Sequence, residues 1–350
     1  MPNGRHLVRG LARAVSILLV SCAAAAAPGQ EPSPTALANP RPFLWRVEGD
    51  VPSFLFGTIH LPDERATDVH PEVETVLGAA DAVFTELAMD QIVSPKLMAA
   101  MQIPDGKTLG DIAPPALVER VRKKLGLPDA TRASSLKLRP FALSLQVVLQ
   151  GRAGKGVALD MQIYKDAKSA GKQVGGIETI EEQLAAFDSL DIAGEVGLLT
   201  VSLDVLDDFE RRGLDLCTEM LDAYCAGDTK RLLSFFDLMG GEGSPWEALS
   251  RSLLTDRNLR MAERIDRMLH EAPKRRFVFA VGAGHLVGAT SVVDILRARG
   301  HVVTRVPESL ANIDEEVEQL KGEVEQREAR IRLLQDRRRA LAEPTRRKAG

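Results

Sequence analysis

Phe277-Val278-Phe279-Ala280-Val281 is an unbroken apolar run of β-branched, small and aromatic residues, and a strand built from it must bury both of its faces. A sheet with one face in water would show alternation instead. Less purely apolar, strand-like runs recur at Leu44 to Val47, Phe54 to Thr58, Ala82 to Leu87, Lys172 to Ile177 and His301 to Val306. Helical patterns separate them, such as Asp256 to Leu269 with Ala262, Ile265 and Leu269 on one face. From about Val93 to Gln150 the pattern is mainly helical, punctuated by prolines. The alternation predicts an α/β fold (mixed α+β), a central β-sheet flanked by many helices.

Local signals refine this plan. Glu48-Gly49-Asp50 joins the first two runs as a hairpin turn. Pro71 after His70 opens a helix, where a missing N–H costs least. Asp160 to Ala170 reads as another helix, and Thr179 with Glu182 three residues later forms a capping-box signature for the next. After His285 a helix is expected to run to about Arg299, where Gly300 stops it.

The ends of the chain differ from this body. Arg5, His6, Arg9 and Arg13 precede the apolar stretch Ala14 to Val20 and the small residues Ser21 to Ala27, so residues 1–27 read as a signal peptide. The apolar stretch is too short to span a bilayer. Export to the periplasm, or to an outer-membrane-anchored place in the cell envelope, is the expectation. Leu19-Val20-Ser21-Cys22 fits a lipobox, which would anchor the protein to a membrane through Cys22; a plain cut within Ala23 to Ala27 fits as well. Residues 28–42 read as a flexible linker and 43–309 as the folded domain. Residues 310–350 form a charged helical extension, with Ile313, Val317, Leu320, Val324, Ile331, Leu334 and Leu341 near heptad spacing. Arg327 and Arg338 interrupt that seam, and the acidic half precedes a basic one. A solvated appendage and a coiled coil joining a homodimer are the two readings. Cys217 and Cys225 lie on one predicted helix, about 12 Å apart along its axis, too far for a disulfide.

A net charge of −4 and the absence of a basic face argue against nucleic acid as a partner. The chemistry lies instead in two of the six histidines. Phe54 to Gly57-Thr58-Ile59-His60 and Phe277 to Gly282-Ala283-Gly284-His285 are both strands running into Gly-x-x-His. Glycine permits close backbone approach at a strand end. The histidine then falls on the rim, where open α/β sheets present ligand sites. Glu86 ends a third strand. Two histidines and a carboxylate with open positions compose a metal site, although strand-end histidines also occur simply as hydrogen-bonded polar residues. Gly282-x-Gly284-x-x-x-Gly288 resembles a dinucleotide turn, but its spacing is off by one and His285 intrudes. Gly154-Lys155-Gly156 lacks the serine or threonine of a phosphate loop. His70, His270 and His301 read as structural.

Leu44-Trp45, Phe56 to His60, Glu86-Leu87, Gly156 to Asp160, Gly176 to Gln183, Arg257-Asn258 and Val281 to His285 resemble, in order, the signature blocks of the TraB/PrgY/GumN superfamily. The resemblance runs from about Phe43 to Pro307. It implies a fold akin to erythromycin esterase and ChaN-type haem-binding lipoproteins, and kinship with the animal Tiki proteins, described as metal-dependent proteases. His60 and His285 would then be metal ligands or catalytic histidines, and Glu86 a ligand or a general base. Asp160 and Glu178 would be ligands or carboxylates supporting them, and Arg257 and Asn258 would polarise a carbonyl or hold its oxyanion. The ion, manganese, cobalt or zinc, would activate water and polarise the scissile bond. The expected function is an exported metal-dependent hydrolase, a peptidase acting on a peptide or amide substrate. The rival is a non-catalytic envelope protein that sequesters a peptide signal or binds haem or metal. Leu87-Ala88-Met89-Asp90 departs from the family's Leu-Asp, so no role is carried to Asp90.

Overall fold

The computed structural model describes residues 39–89, 95–127, 136–149, 157–238, 245–307 and 309–342. The signal-peptide stretch with Cys22, most of the linker, Asp90 and Gly154-Lys155-Gly156 lie outside the described residues.

Six strands pair in the order β4-β3-β5-β2-β1-β6. They are β1 (Leu44–Val47), β2 (Ser53–Thr58), β3 (Ala82–Thr85), β4 (Gln173–Gly176), β5 (Phe277–Gly282) and β6 (Val303–Arg305). Strands β4, β3, β5 and β2 run parallel, and β1 is antiparallel to both β2 and β6. The apolar run around Phe279 occupies the centre of the parallel part, between β3 and β2, where both faces are covered. Val47 opposite Ser53 and Leu44 opposite Phe56 fix the register of the β1–β2 hairpin. The fold is thus the mixed α+β class that the alternation of runs predicts.

Capping chemistry sets several helix starts. His70 Nδ1 accepts the Glu72 N–H at 3.1 Å and caps the Pro71–Ala79 helix. Thr179 and Glu182 form the expected reciprocal box ahead of Ile180–Ala185. One expectation is corrected. After β5 the chain makes only a single 3-10 turn, Ala283–His285, and the next helix is Val292–Ala298. Gly288 at φ +86° breaks the path, and the Ser291 hydroxyl caps the later start by accepting the Asp294 N–H at 3.1 Å. The α-helix that a dinucleotide turn requires directly after its glycines does not start there.

The described residues up to Pro307 form one compact unit with two apolar clusters. The first surrounds the sheet and includes Leu55, Phe56, Val278 and Phe279 with Met261 and Ile265 from the Asp256–Glu271 helix. The second lies mostly among helices, around Leu109, Val121, Phe141, Leu143 and Leu199. The buried Arg305 guanidinium stands over the rings of Phe43 and Trp45 and donates to the carbonyls of Pro42 and Gly227, fastening the entry of the chain to the sheet. Cys217 and Cys225 both lie as thiols on the Leu216–Ala226 helix, and the Cys217 thiol donates to the Val148 carbonyl at 3.2 Å. The described residues beyond Pro307 make a second unit, the helix Leu310–Ala342. Among the described residues no helix is long and apolar enough to cross a membrane.

Candidate metal centre

Because β4, β3, β5 and β2 are parallel, their carboxyl ends share one edge of the sheet. Thr58 lies opposite Gly282, and Thr85 opposite Gly176. His60, Glu86, His285 and Glu178 each follow one of these strands by one to three residues. Asp160 comes from the first turn of the Leu159–Ser169 helix, and Arg257 and Asn258 from the first turn of Asp256–Glu271. The structure brings all seven residues singled out in the sequence to this edge.

The glycine of the first Gly-x-x-His is there for lack of space. A Cβ on Gly57 would stand 2.7 Å from Phe43 Cβ and 3.0 Å from Ala283 Cα, so the two Gly-x-x-His turns pack directly on each other. The fully buried Tyr224 donates its hydroxyl to the Gly57 carbonyl at 2.8 Å and holds that turn from behind.

Glu86 is the hub. Its Oε1 lies 3.7 Å from His60 Nε2 and 3.7 Å from His285 Nε2, and accepts the Gly282 N–H at 2.7 Å. Its Oε2 accepts from Arg257 Nη2 at 2.7 Å and Gln183 Nε2 at 3.1 Å. Each imidazole is held by its other nitrogen. His60 Nδ1 is 3.2 Å from Asp160 Oδ2. His285 Nδ1 is 2.6 Å from Asn258 Oδ1, while Asn258 Nδ2 donates to the Thr290 carbonyl at 2.8 Å. That second bond settles the amide orientation, so Asn258 Oδ1 can only accept and His285 Nδ1 carries the proton. The lone pair of His285 Nε2 is left on the side of Glu86. Arg257 also donates to Glu178 through Nε at 2.8 Å and to the Leu253 carbonyl through Nη1. The donors of Arg257 and Asn258 are thus directed at protein groups around the two histidines and Glu86.

The electrostatics follow from burial and pairing. Burial alone would raise the Glu86 pKa, but Arg257 and the two histidines outweigh it and hold the carboxylate well below its usual range. Burial, aided by the Arg257 charge, pushes His285 down to about 3, which keeps its imidazole neutral. His60 goes the other way. Burial disfavours its charge, but that side chain keeps 41% of its surface exposed, and the Asp160 and Glu86 carboxylates lift its pKa well above 6.5. Burial raises Glu178 despite its pairing with Arg257.

This donor set fits a divalent ion on three grounds. Two ligands each about 2.1 Å from one tetrahedral ion stand about 3.4 Å apart, close to the 3.7 Å observed on either side of Glu86 and too long for hydrogen bonds. A Cβ placed on Gly282 would lie 3.1 Å from Glu86 Oε1, 3.4 Å from His60 Nε2 and 3.6 Å from the His285 ring, so the missing side chain leaves a space bordered by all three. Among the described residues no hydrogen bond reaches the buried Asp160 Oδ1, Glu178 Oε1 or Thr58 Oγ1 around the same edge. The outer partners of the histidines match the arrangement that orients ligating imidazoles.

A separate group, Asp266, His270 and His301, also presents atoms within 4.8 Å of one another that could hold an ion. His301 lies just ahead of β6, at the end of the sheet opposite the edge described above. Its Nε2 is 2.7 Å from Asp266 Oδ1, and Arg299 donates to the other Asp266 oxygen at 3.0 Å. Sequence reasoning took His270 and His301 singly and missed this grouping. It also gave Gln183 and Tyr224 no role, although Gln183 falls within the Gly176 to Gln183 block.

Residues 43–305 match the TraB/PrgY/gumN family. Among curated proteins, the metalloprotease TIKI1 of Danio rerio is 28% identical over 314 residues, covering 76% of this chain and 63% of that protein. Homo sapiens metalloprotease TIKI1 is 26% identical, covering 76% of this chain and 62% of its own length. The metalloprotease TIKI homolog of Amphimedon queenslandica is 26% identical, covering 77% of this chain and 62% of its own length. The chain therefore spans a little under two thirds of the length of these relatives. No solved structure matches. A family match across most of the chain, joined to the ordered residues at the sheet edge, makes the protein a member of the TraB/PrgY/gumN family.

Proposed function

We propose that this protein is an exported metal-dependent hydrolase that cleaves a peptide or amide bond at the edge bearing His60, Glu86 and His285. The observation that carries the reading is the convergence of two Nε2 atoms on one carboxylate oxygen, each at 3.7 Å, with each ring fixed through its other nitrogen. In this reading His60, His285 and Glu86 hold the ion, whether manganese, cobalt or zinc. A bound ion would supply Lewis acidity toward an amide carbonyl and toward water.

The chain's own residues do the rest. Asn258 fixes the tautomer of His285, and Asp160 orients the His60 ring so that Nε2 faces Glu86. Arg257, held between Glu86 and Glu178, keeps Glu86 ionised and its Oε1 facing the histidines. Arg257 and Asn258 are thus positioning residues, and Glu86 acts as a ligand rather than a proton acceptor, because Oε2 is taken by Arg257 and Gln183 and Oε1 faces the two histidines. Relatives named metalloproteases support a peptide substrate. Export rests on the leader pattern at residues 1–27.

The test is a mixed peptide library incubated with protein loaded with manganese, cobalt or zinc, read by mass spectrometry for new termini. Cleavage that disappears with a chelator and in a folded Glu86→Gln variant supports the hydrolase. Peptide retained uncut by wild type and variant alike would favour the binding-protein reading instead.

A further inference from the structure

The Leu310–Ala342 helix carries an apolar seam outside the family match. Ile313, Val317, Leu320, Val324, Ile331 and Leu334 keep 43% to 54% of their surface exposed. Their spacing is an unbroken alternation of four and three residues once Arg327 and Arg338 are counted in the two remaining places. With Val317 at position a and Leu320 at position d of the heptad, every seam residue falls at a or d. A seam of this kind asks for a second helix, and its charges say which one and in which direction.

A parallel pair of identical helices would set each residue beside its own copy. Arg327 would then meet Arg327 and Arg338 meet Arg338 inside the seam, and the flanking glutamates 323 and 328 would oppose each other. An antiparallel pair centred between Glu325 and Gln326 removes every one of these conflicts. Val317 then packs on Leu334 of the second copy, and Leu320 on Ile331. Val324 and Ile313 meet Arg327 and Arg338, whose aliphatic stems cover them while the guanidinium heads reach the flanks. Along the flanks, antiparallel pairing sets position g against g and e against e. By sequence, glutamates 316 and 323 then oppose Arg337 and Arg330, and Lys321 opposes Glu328. Each of these pairs is of opposite sign, and each occurs twice in the dimer. The acidic first half and basic second half of the helix are what this arrangement needs.

We propose that two copies of this chain associate through residues 313–338 as an antiparallel coiled coil, about 38 Å long. The perturbation that reads direction is Arg330→Glu with Arg337→Glu. In the antiparallel pair it turns four attractions into four repulsions, an expected weakening of about 100-fold. In a parallel pair Arg330 faces Gln335 and Arg337 faces Ala342, so the same change would matter little.

Sedimentation equilibrium of the purified protein is the measurement, with circular dichroism confirming equal helix content. Wild type is expected to be a dimer and the double variant a monomer at the same concentration. Adding Glu316→Arg and Glu323→Arg to that variant is expected to restore the dimer. A monomeric wild type at about 100 μM, a dimer indifferent to Arg330→Glu/Arg337→Glu, or a failed restoration would each overturn the proposal.

Discussion

Replacing Gly282 with alanine adds one methyl group to the point that His60, His285 and Glu86 share. Gly282 has φ −51° and ψ 134°, a conformation open to any L-residue, so the backbone carries no penalty. The stiffer unfolded chain favours alanine by about 0.4–1 kcal/mol. Against this, the new carbon stands 3.1 Å from Glu86 Oε1 and 3.4 Å from His60 Nε2, and these groups must give by a few tenths of an ångström. The two effects oppose, and the net change in stability should stay within about 1 kcal/mol, a shift of roughly 2–4 °C in Tm. The site is affected far more. An ion about 2.1 Å from each ligand would have the methyl group inside its coordination shell, so affinity should fall by about 100-fold or more. Isothermal titration with zinc and manganese, beside a thermal melt, reads both quantities. A Gly282→Ala protein that melts like wild type and binds metal equally well would refute the geometry.

Two further perturbations follow from the charges. The Asp160 and Glu86 carboxylates hold His60 protonated in the metal-free protein above its usual pKa of 6.5, so an entering ion must expel that proton. Metal affinity should therefore rise with pH, approaching tenfold per unit below the raised pKa; titrations in buffers of different ionisation enthalpy count the proton, and a pH-independent affinity would contradict this. Without metal the same ion pair stabilises the fold fully below pH 6.5 and is lost as pH climbs through the raised value. Glu182 behaves in the opposite sense. The Arg264 hydrogen bonds, with the Thr179 cap, depress it from 4.5 to about 2, so its contribution is complete above pH 4.5 and vanishes as pH falls through about 2. The pair is part-buried and still reached by solvent, so Glu182→Gln should cost only about 1 kcal/mol at neutral pH, with the gap in urea melts closing across that acid window; a gap that persists there would sink the assignment.

The sheet edge was legible because it rests on local signals of great strength. A buried run such as Phe277 to Val281 has few alternatives to a central parallel strand, and a Gly-x-x-His placed after it puts the histidine on the carboxyl rim. Thr179 and Glu182 announced their helix for the same reason, as capping is a contact between near neighbours. What escaped needed partners distant in the chain. The helix after His285 starts late because Gly288 takes a left-handed turn, which a glycine permits but does not dictate. Asp266 and His270 sit one helical turn apart, yet His301 joins them only through the return of the chain to β6. Tyr224 reads as one more apolar helix residue until its hydroxyl is seen on the Gly57 carbonyl, 167 residues away. The positioning roles of Arg257 and Asn258 belong to the same class. Their residue types suggest reaching for a substrate carbonyl, and only the tertiary contacts direct their donors to Glu86, Glu178 and Thr290.

The most direct test of the account is the metal content of protein purified without a histidine tag, after equal exposure to manganese, cobalt and zinc. Wild type would be compared with His60→Ala/His285→Ala and, as a control for the opposite end of the sheet, with Asp266→Asn/His301→Ala. Near-stoichiometric metal in wild type and the control, lost from His60→Ala/His285→Ala, is the predicted result. Metal that stays with His60→Ala/His285→Ala, or leaves only with Asp266→Asn/His301→Ala, would contradict it.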